Sequence, residues 1–200
     1  MVDMGSTPII SKENKKMKVI IYDAKPGSGF GQWLLMMSWA IGSKLQKLFG
    51  FVDDVYGAES WTAAGLWLKD RSTEYSQIQY WGHGSPGNVW LNGRTMDWDF
   101  FLPIKSKLKR TSLIWFRTCS TFQGKRGHML ATHLSNSLNC VVAGHTRVIG
   151  LLQGGLHTLA PMNLPSWPLE EGEPKSKIPS YLLWGPNTIT CFQTKIPEGW

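Results

Sequence analysis

The sequence predicts an α/β fold in which helices cover both faces of a mostly parallel sheet. Two observations carry that prediction. Short apolar, β-prone runs at 18–23, 78–81, 113–117 and 140–144 alternate with segments of helical periodicity at crossover spacing. Two of these runs also end near a chemically capable residue followed by small or turn-forming residues. Strands that finish at the functional rim of an open parallel sheet have this pattern. The runs are Tyr80-Trp81-Gly82-His83-Gly84 and Leu113-Ile114-Trp115-Phe116-Arg117-Thr118-Cys119. A histidine at one strand end and a cysteine at another are the two halves of a thiolate–imidazole nucleophile.

The elements follow in order. Lys18–Asp23 is a buried strand, closed by the turn-forming run Ala24-Lys25-Pro26-Gly27-Ser28-Gly29. Trp33, Met37, Ile41, Lys44, Leu45 and Leu48 recur at helical spacing and predict a helix over 31–48. Phe51–Ala58 reads as a second strand and Ser60–Lys69 as a second helix, with Ser60 as N-cap. Ile78–Trp81 is the strand leading to His83. Val89-Trp90-Leu91, after a Pro-Gly-Asn turn, is a short extension or a hairpin partner. Trp98–Leu108 is predicted helical despite Pro103, and Leu113–Arg117 leads to Cys119. A helix over Gly127–Leu138 sets Leu130, Leu134 and Leu138 on one face, and Cys140–Gly144 is the next strand. After residue 160 the character changes. Seven of the 11 prolines fall between Pro161 and Pro197, only Tyr181–Trp184 and Thr188–Phe192 read as strands, and 161–180 reads as a functional loop.

The 200 residues suit one domain over 17–200, and residues 1–16 read as a disordered leader or in part an expression remnant. Apolar residues make up 42%, with 11 Trp and 8 Phe, which is a globular composition. The net charge of +7 favours acidic partners without selecting nucleic acid, and no apolar run has the length of a membrane span. Three cysteines, Cys119, Cys140 and Cys191, cannot all pair, so a reducing, cytoplasmic home is expected. The oligomeric state is not fixed by the sequence.

Cys119 sits just past an apolar strand and is followed by Ser120, Thr121, Phe122, Gln123 and Gly124. Rigid backbone fixes the thiol there, and small neighbours leave room for substrate and for backbone N–H groups that stabilise an oxyanion. The plainer reading is a small buried hydrophobe. His83 lies between Gly82 and Gly84, which permit close approach of another chain. Its plainer reading is a turn histidine. Opposite Cys119 it would take the thiol proton and later protonate a leaving amine.

An apolar strand ending in His-Gly, then a second apolar strand ending in Cys 36 residues later, resembles the caspase-like (clan CD) cysteine peptidases. That group includes caspases, metacaspases, legumains, gingipains, separases and CHAT-type bacterial proteins. Agreement extends to the helix Gly127–Leu138 and to the strand Cys140–Gly144 ending in His145-Thr146, and covers about residues 17–150. The resemblance implies a caspase-like three-layer αβα sandwich with a mostly parallel central sheet. It implies a thiol endopeptidase acting on proteins or peptides through a thioester, with His83 as catalytic histidine and Cys119 as nucleophile. The N–H groups of Gly84 and Cys119 would form the oxyanion site. Asp23, at the end of the first strand, would line the P1 pocket and favour a basic P1 residue, or else cap the turn that follows. His145 would line the cleft, with a turn histidine as the plainer reading. Arg117-Thr118-Cys119-Ser120 departs from the Gln-Ala-Cys-x-Gly motif of caspases proper, so cleavage after Asp, caspase-style processing and dimerisation do not carry over.

Other motifs fall short. Gly27-Ser28-Gly29-Phe30-Gly31 resembles the start of a dinucleotide loop, but Gln32 stands where the last glycine belongs, so no cofactor is expected. Gly124-Lys125-Arg126 lacks the earlier glycine and the Ser/Thr of a phosphate loop. His128 and His133 are five apart, and no Cys-x-x-Cys pair exists, so no metal site is expected. The run Lys105–Arg110 reads as a solvated, dipole-complementing helix end. The rival functions are a catalytically inactive caspase-like scaffold domain and, with less support, a metal-dependent hydrolase.

Overall fold

The computed structural model describes residues 16–25, 27, 29–172, 180–182 and 184–200. The expected leader up to residue 15, Pro26 and Ser28 of the first turn, and 173–179 of the proline-rich loop lie outside the described residues. The chain runs β1 (Met17–Asp23), α1 (Phe30–Leu48), β2 (Asp54–Ala58), α2 (Trp61–Lys69) and β3 (Tyr75–Trp81). Next come a small meander, β4 (His83–Ser85), β5 (Asn88–Leu91) and β6 (Arg94–Thr95), and a 3-10 turn at Leu102–Lys107. Then follow β7 (Leu108–Arg117), α3 (Gly124–Leu138), β8 (Val141–His145), β9 (Leu152–Gln153) and β10 (Leu156–Leu159). A 3-10 turn at Ser180–Leu182 and β11 (Ile189–Thr190) complete the described elements.

Six strands form the central sheet in the order β10-β8-β7-β3-β1-β2. Every pairing from β8 to β2 is parallel, and only β10 runs antiparallel, against β8. The four strands expected to be parallel are therefore consecutive neighbours. Alternation along each strand divides the side chains between two faces. Val19, Ile21, Ile78, Tyr80, Ile114, Phe116 and Val142 face a large core with Ala64 and Leu68 of α2 and Leu130, Leu134 and Leu138 of α3. On the other face, Ile20 and Trp81 pack with Trp39 of α1, while Trp115, Ala143 and Leu156 pack with Ile189, Ile196 and Trp200. This is a mixed α/β fold with a largely parallel sheet flanked by helices.

Local signals account for several boundaries. The Ser60 hydroxyl accepts from the Ala63 N–H at 3.1 Å and starts α2 as its N-cap. At the other end, the Lys107 ammonium donates to the carbonyls of Lys69 (2.5 Å) and Arg71, so part of the basic run satisfies open carbonyls of α2. Val89-Trp90-Leu91 is the hairpin partner, antiparallel to β4, with His83 opposite Trp90.

Four expectations are corrected. The predicted helix over Trp98–Leu108 is only a 3-10 turn over Leu102–Lys107, because Pro103 fits the first turn of a helix and not its middle. Leu108, Lys109 and Arg110 belong to β7, which starts five residues earlier than expected. Tyr181 and Leu182 of the expected strand Tyr181–Trp184 lie in a 3-10 turn over Ser180–Leu182, and Leu183 lies outside the described residues. Thr188–Phe192 reduces to Ile189–Thr190, paired with β9.

The helix α1 forms where expected, but its apolar stripe points outward. Leu34, Ile41 and Leu48 are exposed, and the buried residues are Ser43 and Gln46. Gly42 lets the helix lie against the Trp81 ring, where a Cβ would come within 3.0 Å. Periodicity predicts a stripe but not which neighbour covers it.

Candidate active site

Neighbouring strands set the two central residues. In the register of β3 and β7, Trp81 pairs with Arg117, so His83 and Cys119 each follow two residues beyond the same rung at the carboxyl rim. The glycines around His83 are required by packing. A Cβ on Gly82 would fall 2.6 Å from the Tyr80 hydroxyl. One on Gly84 would meet the Thr121 hydroxyl, the Cys119 carbonyl oxygen at 2.7 Å and the Thr118 Cβ at 2.8 Å. The Gly84 backbone thus lies directly against the Cys119 turn.

That turn is strapped on two sides. The Ser120 N–H donates to the Arg147 carbonyl and the Phe122 N–H to the His145 carbonyl, each at 2.9 Å. The Gly87 N–H of the hairpin donates to the Thr121 carbonyl at 3.0 Å. Ser120 itself is left-handed, with φ 53°, a conformation non-glycine residues adopt at some cost. Among the described residues no hydrogen bond takes up the Cys119 amide N–H.

The side chains have separate partners. The His83 Nε2 lies 2.7 Å from the Gln32 Oε1 of α1, and its ring meets Trp39 edge-on at 5.2 Å. The half-buried Cys119 thiol donates to the Ile149 carbonyl at 3.8 Å. Burial pushes its pKa up, so the resting group is a thiol and not a thiolate. Among the described residues no hydrogen bond joins His83 to Cys119.

Asp23 ends β1 at the same rim. Only 1% exposed, it accepts from the Lys25 N–H (2.9 Å) and from the Asn92 N–H (3.0 Å). These bonds anchor the turn after β1 and the β5–β6 turn. His145 ends β8 and is fully buried, with Nδ1 at 3.1 Å from the Gly154 carbonyl. Burial lowers its pKa to about 3, so the ring is neutral and Nδ1–H is the donor. Its Nε2 has no hydrogen-bond partner among the described residues.

The remaining histidines are dispersed. His133 bonds Asp99 at 2.8 Å, while His128 meets Trp167 in a T-shaped contact and His157 stacks on the same ring. Among the described residues, no group of three or more His, Cys, Asp or Glu is placed to hold a metal ion. All three cysteines are free thiols. No described helix is long and apolar enough to cross a membrane.

Two residues with a bearing on the site were not singled out in the sequence. Gln32 is the residue that breaks the dinucleotide pattern, and that mismatch was the one available signal. Arg117, at the end of β7, is 3% exposed, and among the described residues no ion pair joins it to a carboxylate. It ties the rim to the C-terminal segment through the carbonyls of Gln193 (3.0 Å) and Cys191 (2.8 Å) and through Gln153 Oε1 (3.0 Å).

The chain matches no family model, no curated protein and no solved structure.

Proposed function

We propose that this chain is a cysteine endopeptidase of the caspase-like type, acting on proteins or peptides through Cys119 and His83. The observation that carries the reading is the shared rung of β3 and β7. It sets both residues at one rim, with Gly84 packed on the Cys119 backbone. The three-layer αβα arrangement of caspase-like enzymes is consistent with α2 and α3 on one face of the sheet and α1 on the other. Free thiols suit a reducing, cytoplasmic setting.

In this mechanism Gln32 Oε1 accepts Nε2–H of His83 and leaves Nδ1 as the base. The thiol turns from the Ile149 carbonyl and passes its proton to Nδ1. The sulfur then attacks the scissile carbonyl carbon. Its oxygen takes the negative charge, met by the N–H groups of Gly84 and Cys119. The imidazolium protonates the leaving amine as the C–N bond breaks. Water, deprotonated by His83, hydrolyses the thioester and frees the thiol. Both Asp23 oxygens already accept backbone N–H groups, which supports turn anchoring over a P1 contact.

A second reading, an inactive interaction domain, is favoured by one observation: thiol and imidazole each bond elsewhere. Incubation of the purified chain with a broad peptide library, alongside Cys119→Ala and His83→Ala, separates the two. The peptidase reading expects cleavage that is lost in Cys119→Ala and reduced about 100-fold or more in His83→Ala. It also expects mapped alkylation at Cys119, with circular dichroism unchanged. Equal turnover in wild type and Cys119→Ala refutes the assignment, and no turnover in any of the three favours the interaction domain.

A further inference from the structure

We propose that the outer face of α1 is a dimerisation surface that packs against the same helix of a second copy of this chain. Phe30, Leu34, Ile41 and Leu48 are exposed on the outward side and Met37 is half-buried in line with them, spaced by fours, threes and sevens. Leu34, Ile41 and Leu48 recur every seven residues, and Phe30 and Met37 form a second row with the same repeat. Only Lys44 interrupts that second row. A two-row, seven-residue repeat is the seam by which one helix packs on another. Leu35 (42% exposed) and Leu45 (39%) widen the apolar side, which alone would also suit a lipid surface, so it is the seven-residue repeat that favours a second copy.

The helix is inverted relative to an ordinary surface helix. It buries Ser43 and Gln46 and leaves Phe30 74% and Leu48 75% exposed. Trp33 stacks on Phe30 with centroids 6.0 Å apart, and Phe49 and Phe51 continue the patch past the helix end. With about 150–250 Å² for each aromatic side chain and somewhat less for each aliphatic one, the seven residues Phe30, Trp33, Leu34, Ile41, Leu48, Phe49 and Phe51, 47–75% exposed, leave on the order of 800 Å² uncovered. Monomers rarely leave more than about 600 Å² in one apolar patch. A stable dimer buries about 800 Å² per partner. One self-complementary patch meets that need through a two-fold axis. The neighbouring sheet edge is guarded by charge, since Asp54 on β2 is paired with both Lys47 and Arg71. Contact through the helices, and not edge to edge, is therefore the arrangement the surface favours.

Gln32 lies on the inward side of α1, so the seam leaves the His83–Cys119 site clear and the proposal stands apart from the peptidase reading. Sedimentation of the purified full chain over a wide concentration range tests it. The protomer is 22.5 kDa, and a species of twice that mass is expected. Ile41→Glu with Leu48→Glu should weaken association by about 100-fold or more while leaving the far-UV circular dichroism unchanged, because both side chains are exposed in the protomer. Lys44→Leu, which fills the interrupted row, should tighten association about tenfold. Three results would overturn the proposal: a wild type that stays monomeric at every concentration, a dimer indifferent to the paired substitution, or a monomer that floats with phosphatidylglycerol vesicles through this face.

Discussion

At Gln32 a single side-chain amide decides which nitrogen of His83 is basic. The bond is 2.7 Å long and spans 51 residues of sequence. If Oε1 holds Nε2–H, it also stabilises the imidazolium that forms when the thiol proton moves. A hydrogen bond to a charged group contributes about 1.5–3 kcal/mol, so Gln32→Ala should lower kcat about 10- to 100-fold. KM should change little. Gln32→Glu keeps an acceptor at the same place, so much of the rate should return. A Gln32→Glu variant as slow as Gln32→Ala would reduce Gln32 to a packing residue. Ser120 carries a related cost, since its left-handed backbone is held by the bond to Arg147 and turns the cysteine toward the rim.

Among the elements, the loop after β10 depends most on a small polar cluster. Trp167 stacks parallel on Phe122 at 5.5 Å and donates Nε1–H to the Phe122 carbonyl, clamping the loop onto the cysteine turn. Farther along, Glu171 accepts from the Thr146 hydroxyl (2.9 Å) and meets the His157 Nε2 at 2.8 Å. Burial raises the Glu171 pKa, but His157, Thr146 and Arg147 together outweigh it and hold the carboxyl below its ordinary 4.5. A lowered carboxyl pKa gives stability that is complete above 4.5 and is lost as the pH falls through the folded value. Glu171→Gln should therefore destabilise the fold by about 1–2 kcal/mol at neutral pH and flatten the loss between neutrality and about pH 3. Urea unfolding at several pH values measures both. An unaltered acid slope would assign that slope to other carboxylates, such as Asp54, which Lys47 and Arg71 also hold low against the opposing effect of burial.

For the whole molecule, Arg117 is where the C-terminal segment joins the sheet. Its guanidinium donates to Gln79, Gln153 and the carbonyls of Thr190, Cys191 and Gln193, and lies over the rings of Trp81 and Trp115. Burial pulls its pKa down to about 9, still well above neutrality, so the group remains charged. The planar fork reaches acceptors on both sides at once, which an ammonium cannot do. Arg117→Met would leave several buried carbonyls unpaired and should cost about 3 kcal/mol or more. Hydrogen exchange should then rise first in residues 189–200, ahead of β1, β3 and β7, and Arg117→Lys should recover little. Uniform exchange along the chain would show that the segment is held by Ile189, Ile196 and Trp200 packing on Trp115 instead.

The sequence by itself determined what local chemistry controls. Apolar runs fixed β1, β3, β7 and β8, the leucine spacing fixed α3, and Ser60 fixed the start of α2, because propensity and capping act within a few residues. The placement of His83 and Cys119 at one rim was legible for the same reason: each lies just beyond a readable strand and beside small residues. Tertiary structure decided who meets whom. Gln32 reaches His83 because the crossover from β1 returns its helix over the sheet. Arg117 finds carbonyls 73 to 76 residues away because β7 is central and the tail crosses it. The exposed side of α1 was hidden for a related reason. A seven-residue repeat is written in the chain, but the surface that covers it is not, since a helix buries whichever side its neighbours can pack.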